Sequence, residues 1–336
     1  MEENFFEYKD NFAKYKYIKS NLLVGETENI PNPKITIAIP TYRRSHLIKD
    51  ALNSAISQIK FENYEIIVID NEASQEENET EKLIKQYNNP KILYYKNEEN
   101  IGMFGNWNRC IELARGEYVT ILNDDDWLEN NFLYEVTKEI KGKEGIYTLT
   151  KIHDYRNKNI KQHFFKKYLK FIYKNLIKIT KIRKLTLIDF FFSNRSLGSL
   201  GILFKTECLK KLGGYDEEWY PSCDYFFHTD YCNKFGVKLL KKELSNYRIQ
   251  ENESMKIETA KKWPEQAFHF RKYIIKYLKL EKKYEFWNEI LLESFKKHIN
   301  EFWNIKILYN KEFLKSRNVK KFKIEFFIKE KLKNIF

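Results

Sequence analysis

Between Lys34 and Asn123, apolar runs of strand length alternate with segments of helical period, and no other feature restricts the fold as much. "KITIAIP" (34–40), "YEIIVID" (64–70), "KILYYKN" (91–97) and "EYVTILN" (117–123) are short, nearly continuous apolar stretches, as carried by strands buried on both faces. The stretch "SHLIKDALNSAISQ" places apolar residues at 47, 48, 51, 52, 55 and 56, with Ser45 as the expected N-cap. A polar helix is expected over 77–87, and "MFGNWNRCIELARG" (103–116) reads as a helix stopped at Gly116. This strict alternation predicts an α/β fold of right-handed βαβ units, with a Rossmann-like, mostly parallel sheet flanked by helices.

Such sheets bind ligands in the crevice beyond the carboxyl ends of their strands. The polar residues at those ends are Pro40-Thr41-Tyr42-Arg43, Asp70-Asn71 and Asn123-Asp124-Asp125-Asp126. Three consecutive aspartates repel one another, and nothing in a strand end calls for them. A divalent cation between them would reconcile the charges, and hard oxygen ligands suit Mn²⁺ or Mg²⁺. Such an ion would neutralise a diphosphate leaving group. An isolated "DDD" reads more readily as a solvated turn capping the next helix. The other polar strand ends tip the balance toward the cation.

After residue 150 the pattern loosens. The net charge of +13 is concentrated: residues 151–186 hold twelve Lys/Arg against one acidic residue, Asp154. The last 36 residues add ten Lys/Arg and four Glu. Phe165, Leu169, Ile172, Leu176 and Ile179 are spaced as one face of a basic amphipathic helix over 164–182. "SLGSLGILFKTECLKKLGGYDEEW" (196–219) predicts a strand, then a helix ending at Gly213-Gly214. From 259 the chain is Lys- and aromatic-rich with helical spacing, and Ile324, Ile328, Leu332 and Ile335 share one face. The basic segments admit two readings of equal weight, an anionic membrane surface as partner or plain packing with lysines in water. Aromatics among lysines also permit stacking on bases, although no nucleic acid is expected as a partner. There is no bilayer-length apolar run and no secretory signal, and the four cysteines form no CxxC pair. A cytoplasmic protein is expected, peripheral on the inner face of the plasma membrane if the basic helix engages lipid.

Taken together, "IAIPTYRR", "YEIIVIDNEAS", "NEENIGMFGNWNRCIELARGEYVTILNDDDWL" and "GGYDEEW…CDY" resemble, in order and spacing, the family 2 glycosyltransferases, which have a GT-A fold. The resemblance covers roughly 34–255. It implies a GT-A domain over 34–258, with a nucleotide-binding half (34–130) and an acceptor half (131–258) that holds the basic insertion 151–186. An N-terminal helical extension (1–33) and a basic, aromatic-rich helical tail (259–336) flank it. The activity implied is metal-dependent, inverting transfer of a hexose-type sugar from a nucleotide-sugar donor, expected to be a UDP-sugar. The acceptor implied is a saccharide or lipid-linked saccharide, as in the synthesis of capsule, lipooligosaccharide or other cell-surface polysaccharide.

Carried over by residue, the family's DXD motif falls on Asn123-Asp124-Asp125, with Asn where the family has its first Asp. Asp125 is the expected ligand of Mn²⁺ or Mg²⁺, Asp124 lies near the ribose or the metal, and Asp126 supports them. Pro40, Thr41, Tyr42 and Arg43 are expected to line the nucleotide, Asp70 and Asn71 to meet the base, and Asn108 and Arg109 to approach the donor. Arg109 faces a choice between a phosphate and Glu112 one turn away. The base for the acceptor hydroxyl falls on Asp224, preceded by Cys223 where the family has Glu. Asp216 is expected to cap, His228 to pack, and Gln250 stands where the family closes on His. The competing enzyme class, a nucleotidyltransferase that makes nucleotide sugars, needs a Gly-rich phosphate loop that "IPTYRR" lacks.

Overall fold

β2 (Ile35–Thr41) and β3 (Tyr64–Asp70) are buried at every position, so both faces of this part of the sheet are covered. The computed structural model describes residues 3–156, 182–250 and 256–333. β2 pairs in parallel with β3 on one side and with β5 (Tyr118–Ile121) on the other, while β4 (Ile92–Asn97) extends the parallel set beyond β3. The register sets Ile37 between Ile66 and Thr120. Helices α1 (Ile48–Ile56), α2 (Glu79–Tyr87) and α3 (Gly102–Leu113) make the crossovers. Ile37, Ile39, Leu52, Ile66 and Val68 belong to one continuous core. Truncating any of these isoleucines to Ala should cost about 2–5 kcal/mol.

The remaining strands are β1 (Ser20–Val24), β6 (Trp127–Leu128), β7 (Gly145–Asp154), β8 (Ile182–Leu185), β9 (Ile202–Lys205) and β10 (Val237–Ile249). The sheet runs β1-β4-β3-β2-β5-β9-β7-β10-β6, with β8 also on β10. From β2 the chain builds outward through β3 and β4, then returns to place β5 on the other flank of β2. The order in which strands are laid down therefore reverses between the parallel neighbours β2 and β5, and ligands gather at such a switch point. β9 joins β5 and β7 antiparallel, whereas β7 and β10 run parallel. Smaller helices α4 (Phe132–Thr137), α5 (Leu187–Phe192) and α6 (Thr206–Lys211) precede α7 (Cys223–Phe235).

Several expectations need correction. In the N-terminal segment, expected to be helical, the described residues instead form a single 3₁₀ turn at Ala13–Tyr15, strand β1, antiparallel to β4, and a second short turn at Thr27–Asn29. Gly25 explains the stop after β1: its φ is +89° and a Cβ there would lie 2.1 Å from the Ile92 carbonyl oxygen. Ser45 does not cap α1, which begins at Ile48. The Arg44 carbonyl instead accepts from the amides of Leu47 (2.9 Å) and Ile48 (3.1 Å). Gly116 is not a helix cap either. α3 ends at Leu113, and Gly116 is required because a Cβ would meet the β2 amide of Thr36 at 2.5 Å. The basic helix over 164–182 falls on residues that lie, Ile182 excepted, outside the described ones; β7 and β8 form the described flanks of the insertion.

A second unit comprises Met1–Phe5, Tyr220–Ser222 and Glu251–Phe336, so it starts a few residues before the expected boundary at 258. It is helical, with α8 (Ile257–Tyr277), α9 (Lys283–Phe302), α10 (Lys311–Lys315) and α11 (Arg317–Lys333). Arg271 of α8 donates to the Asn288 side-chain oxygen at 2.6 Å, and Asn288 donates to the Phe268 carbonyl at 2.9 Å, which locks α8 to α9. Trp263 stacks on Phe295 across the same pair. Ile324 is exposed, and the side chains of Ile328, Leu332 and Ile335 lie outside the described ones. Among the described residues no helix is long and apolar enough to cross a membrane.

Candidate active site

The ends of β2 and β5 meet at the switch point. Thr41, the last residue of β2, donates its hydroxyl to Asp124 Oδ2 at 2.8 Å. Arg44 reaches back from the loop before α1 and sets one guanidinium nitrogen 3.0 Å from Asp124 Oδ1 and 3.0 Å from Asp125 Oδ2. Asp126 turns the other way and accepts from the Asn123 amide (2.9 Å) and the Arg248 backbone N–H (2.9 Å). The repulsion expected of three adjacent aspartates is thus relieved by dividing them: two face Arg44 and the third is held by hydrogen bonds.

Burial shapes the electrostatics. It pushes Asp124 up to about 6, against the pull of Arg44, with the neighbouring Asp125 adding to the rise. It raises Asp125 too, again opposed by Arg44, and holds Asp126 well above the usual carboxylate range, with Asp125 reinforcing the effect. Burial disfavours the charge of Arg44, but the two carboxylates outweigh it and keep the guanidinium protonated. The second cation is Arg248 at the end of β10. Its Nε donates to the Asp125 carbonyl at 2.9 Å, and its guanidinium pairs with Asp50 while lying over the rings of Trp127 (5.3 Å) and Tyr155 (5.4 Å). An open cavity of about 840 Å³ is lined by the same arginine, by Asp50, Asn53 and Ser54 of α1 and by Trp127, and Asp124, Asp125 and Asp126 are not part of its lining. The chemistry-bearing side chains lie at the switch point rather than in that cavity.

The donor set fits a divalent cation in one respect. Two carboxylate oxygens converge on a single positive nitrogen, so Arg44 stands in for the charge that Mn²⁺ or Mg²⁺ would supply, and hard oxygens are the ligands those ions take. Among the described residues no group of three or more His, Cys, Asp or Glu forms a ready-made cage. A cation here would depend on Asp124 and Asp125, with donor phosphate and water completing its shell.

Asp224 opens α7. Gly198 N–H donates to its Oδ2 at 3.2 Å, Tyr225 N–H to its Oδ1 at 2.8 Å, and its own carbonyl accepts from Ser196. Burial raises its pKa to about 6, against those two backbone donors. The link to the aspartate tip is Gly198, whose carbonyl accepts from Asn123 at 3.1 Å. His228, by contrast, is fully buried among Tyr147, Phe204, Tyr215 and Phe227, and burial lowers it to about 3, so it is neutral there.

Thr41, Asn123, Asp124 and Asp125 are therefore brought together, Asp224 is tied to Asn123 through Gly198, and Pro40 is buried in β2. Tyr42 and Arg43 sit on the rim: Tyr42 is 42% exposed, and Arg43 turns outward to Glu72 at 3.1 Å. The other expected donor residues are committed elsewhere. Asp70 accepts from the Glu72 amide, the Asn78 side chain and the Tyr94 hydroxyl, each at 2.8 Å. Asn71 donates to Asn100 and the Gly102 carbonyl while accepting from Asn97 and the Ile101 amide, which fixes the β4–α3 loop. Asn108 holds the backbone of Tyr215 at both its N–H (2.7 Å) and its carbonyl (2.9 Å). Arg109 pairs with Glu112 at 3.2 Å and donates to the carbonyls of Tyr15 (2.9 Å) and Ile18 (2.8 Å), so it anchors the N-terminal segment. These side chains shape the walls of the site. Arg44 and Arg248, which reach the aspartates, were not singled out from the sequence. The available signals were a second arginine in "TYRR" and a cation at the end of the last long strand.

Residues 36–197 match the family model described as glycosyl transferase family 2. The chain is 26% identical over 252 residues, 69% of its own length and 75% of the relative, to an uncharacterized glycosyltransferase of Methanocaldococcus jannaschii. It is 34% identical over 116 residues to the GalNAc(5)-diNAcBac-PP-undecaprenol beta-1,3-glucosyltransferase of Campylobacter jejuni, covering 34% of this chain and 36% of that one. It is 33% identical over 118 residues to an abequosyltransferase of Salmonella typhimurium, covering 34% of each. Against these two bacterial enzymes the chain matches only about a third of their length. Among solved structures, S. aureus TarS 1-349 in complex with UDP-GlcNAc superposes with a TM-score of 0.54 at 18% identity, over 80% of this chain and 73% of that one. A mannosyltransferase from Pyrobaculum calidifontis in complex with GDP-Man and Mn²⁺ superposes with a TM-score of 0.51 at 15% identity, over 88% and 82%. These likenesses establish the GT-A fold. With that fold, the match of residues 36–197 and the paired aspartates at the switch point, the chain is similar to the family 2 glycosyltransferases over this part of its length.

Proposed function

We propose that this glycosyltransferase moves a sugar from a UDP-sugar, with inversion, to a saccharide or lipid-linked saccharide acceptor of cell-surface polysaccharide. The observation that carries the reading is the junction of Thr41, Arg44, Asp124 and Asp125 where the strand order reverses, with Asp224 tied through Gly198 to Asn123 of the same strand end. Support for the donor class comes from the fold shared with proteins solved with UDP-GlcNAc or GDP-Man. Support for a lipid-linked acceptor comes from the undecaprenol-linked substrate named for the Campylobacter relative.

Asp124 and Asp125 would hold a Mn²⁺ or Mg²⁺ ion, which when bound neutralises the diphosphate leaving group. Thr41 fixes Asp124, and Arg248 fixes the backbone of the tip through the Asp125 carbonyl and the Asp126 carboxylate. Asp224 takes the proton of the acceptor hydroxyl as that oxygen bonds to the anomeric carbon, while the bond from that carbon to the diphosphate breaks on the opposite face. A base near 6 is half-ionised just below neutrality and still basic enough to accept the proton.

A screen of nucleotide sugars for nucleoside diphosphate release, with Mn²⁺, Mg²⁺ or EDTA, tests the reading. Release with a UDP-sugar that EDTA abolishes is the expected result. Equal release in EDTA would remove the metal, and release with only non-uridine donors would replace the base. A cytoplasmic place beside the membrane, with the basic segments on anionic lipid, belongs to the same proposal; pelleting with phosphatidylglycerol vesicles but not phosphatidylcholine vesicles is expected.

A further inference from the structure

The residue that departs from the family's DXD pattern has a geometry of its own. Asn123 Nδ2 donates to Asp126 Oδ2 at 2.9 Å and to the Gly198 carbonyl at 3.1 Å. The Gly198 carbonyl can only accept, and Asp126 accepts the second N–H, so the position uses two N–H donors, which an amide has and a carboxylate lacks. An aspartate at 123 would lose both bonds and add a charge beside Asp126.

Gly198, at the far end of this bridge, is in the left-handed region with φ 61° and ψ 36°, and Ser199 follows with φ 65°. A non-glycine residue there costs about 1–2 kcal/mol and persists only where its surroundings over-determine it. The surroundings do so. Ser199 Oγ lies 2.7 Å from the Tyr215 hydroxyl and 3.1 Å from His228 Nε2, all three residues being buried. From the other side, a Cβ on Gly198 would come within 3.2 Å of Asn123 Nδ2, so turn and amide are in close contact. The conformation aims the Gly198 N–H at Asp224 Oδ2.

We propose that Asn123 is a positioning residue for the base: its amide fixes the Gly198–Ser199 turn, and the turn fixes the Asp224 carboxylate relative to the aspartate tip. The inference rests on Asp224 acting as the base. It also explains the asparagine, because one side chain spans from the cation-holding strand end to the loop that aims the proton acceptor. Binding of the donor does not require this bridge, whereas alignment of the reacting groups does.

The test compares N123A, N123D and D224N with wild type, using the nucleotide sugar that gives the fastest nucleoside diphosphate release in the screen. N123A and N123D should lower kcat about 10- to 100-fold, the cost of a misplacement on the order of 1 Å, while KM for the sugar nucleotide stays within about threefold. N123A carries the test should the extra charge of N123D prevent folding. A kcat for N123A within about twofold of wild type, or a loss seen only in KM, overturns the inference. D224N separates the two levels: normal kcat in D224N sinks the base assignment and this inference together. An inactive D224N beside a fully active N123A sinks only the positioning role.

Discussion

Arg44 places one nitrogen 3.0 Å from Asp125 Oδ2 and, with the same atom, 3.0 Å from Asp124 Oδ1. A single positive group thus bridges Asp125, the carboxylate that the family resemblance assigns to a cation, and its neighbour Asp124. R44M should therefore do two opposite things. Without metal it leaves two buried carboxylates uncompensated and should destabilise the protein by about 1–3 kcal/mol, below the full cost of breaking a buried pair because Arg44 is partly solvated. With Mn²⁺ the loss should shrink, since the ion replaces the missing charge. Thermal unfolding in EDTA and in millimolar Mn²⁺ measures both, and a shift that ignores the metal would refute the shared role.

Asp125→Ala removes one of the two converging oxygens. Mn²⁺ binding, followed by calorimetry without any sugar nucleotide, should weaken at least about tenfold, and metal-dependent diphosphate release should vanish with it. Unchanged Mn²⁺ affinity would move the ion away from this tip.

For Asp224→Asn, donor affinity should be retained while transfer falls by about 10²-fold or more, as for loss of a general base. In the wild type, burial raises Asp224 to about 6, so activity should rise with pH along a limb centred near 6. The same shift has a stability consequence of fixed sign. The folded protein holds this proton more tightly than the unfolded chain, so the wild type loses stability relative to Asp224→Asn as pH climbs from about 4 to about 6, by at most about 3 kcal/mol. Below that window both states are protonated and the differential is flat. Unfolding curves of the two proteins across that range give the answer; a wild type that gains on the variant with rising pH contradicts the assignment.

Arg109→Met should leave the KM for the sugar nucleotide unchanged within about twofold and yet cost about 1–3 kcal/mol of stability. The reason is that its guanidinium is spent on the Tyr15 and Ile18 carbonyls. Limited proteolysis should then cut first within residues 10–24. A large rise in KM with normal stability would return Arg109 to the donor.

The parallel half of the sheet was legible because strands buried on both faces and amphipathic helices leave local patterns: 64–70 was expected as a strand, and β3 spans Tyr64–Asp70. β1 was not, since "SNLLV" is five residues among charges and becomes a strand only by pairing with β4. The aspartate tip stood out through its charge. What sequence could not tell was which neighbours face it. Arg43 and Arg44 are adjacent and chemically identical, but Arg43 takes φ 55° and turns out to Glu72, leaving Arg44 to turn inward. Asn71, Asn108 and Arg109 sit where donor contacts were expected; Arg109 takes the Glu112 pairing that the spacing offered, and all three also bind backbone or amide groups distant in sequence. Those distant pairings depend on tertiary placement, which no local spacing encodes.

β1 lies along the outer margin of β4, where Ser20 faces Asn97 and Leu22 faces Tyr95. Its departure would leave a row of backbone donors and acceptors on β4 open to any passing strand, including another molecule's. Trimming the first thirty residues to ease crystallisation would thus remove a seal, and the shortened protein should self-associate at concentrations where the intact chain stays dispersed.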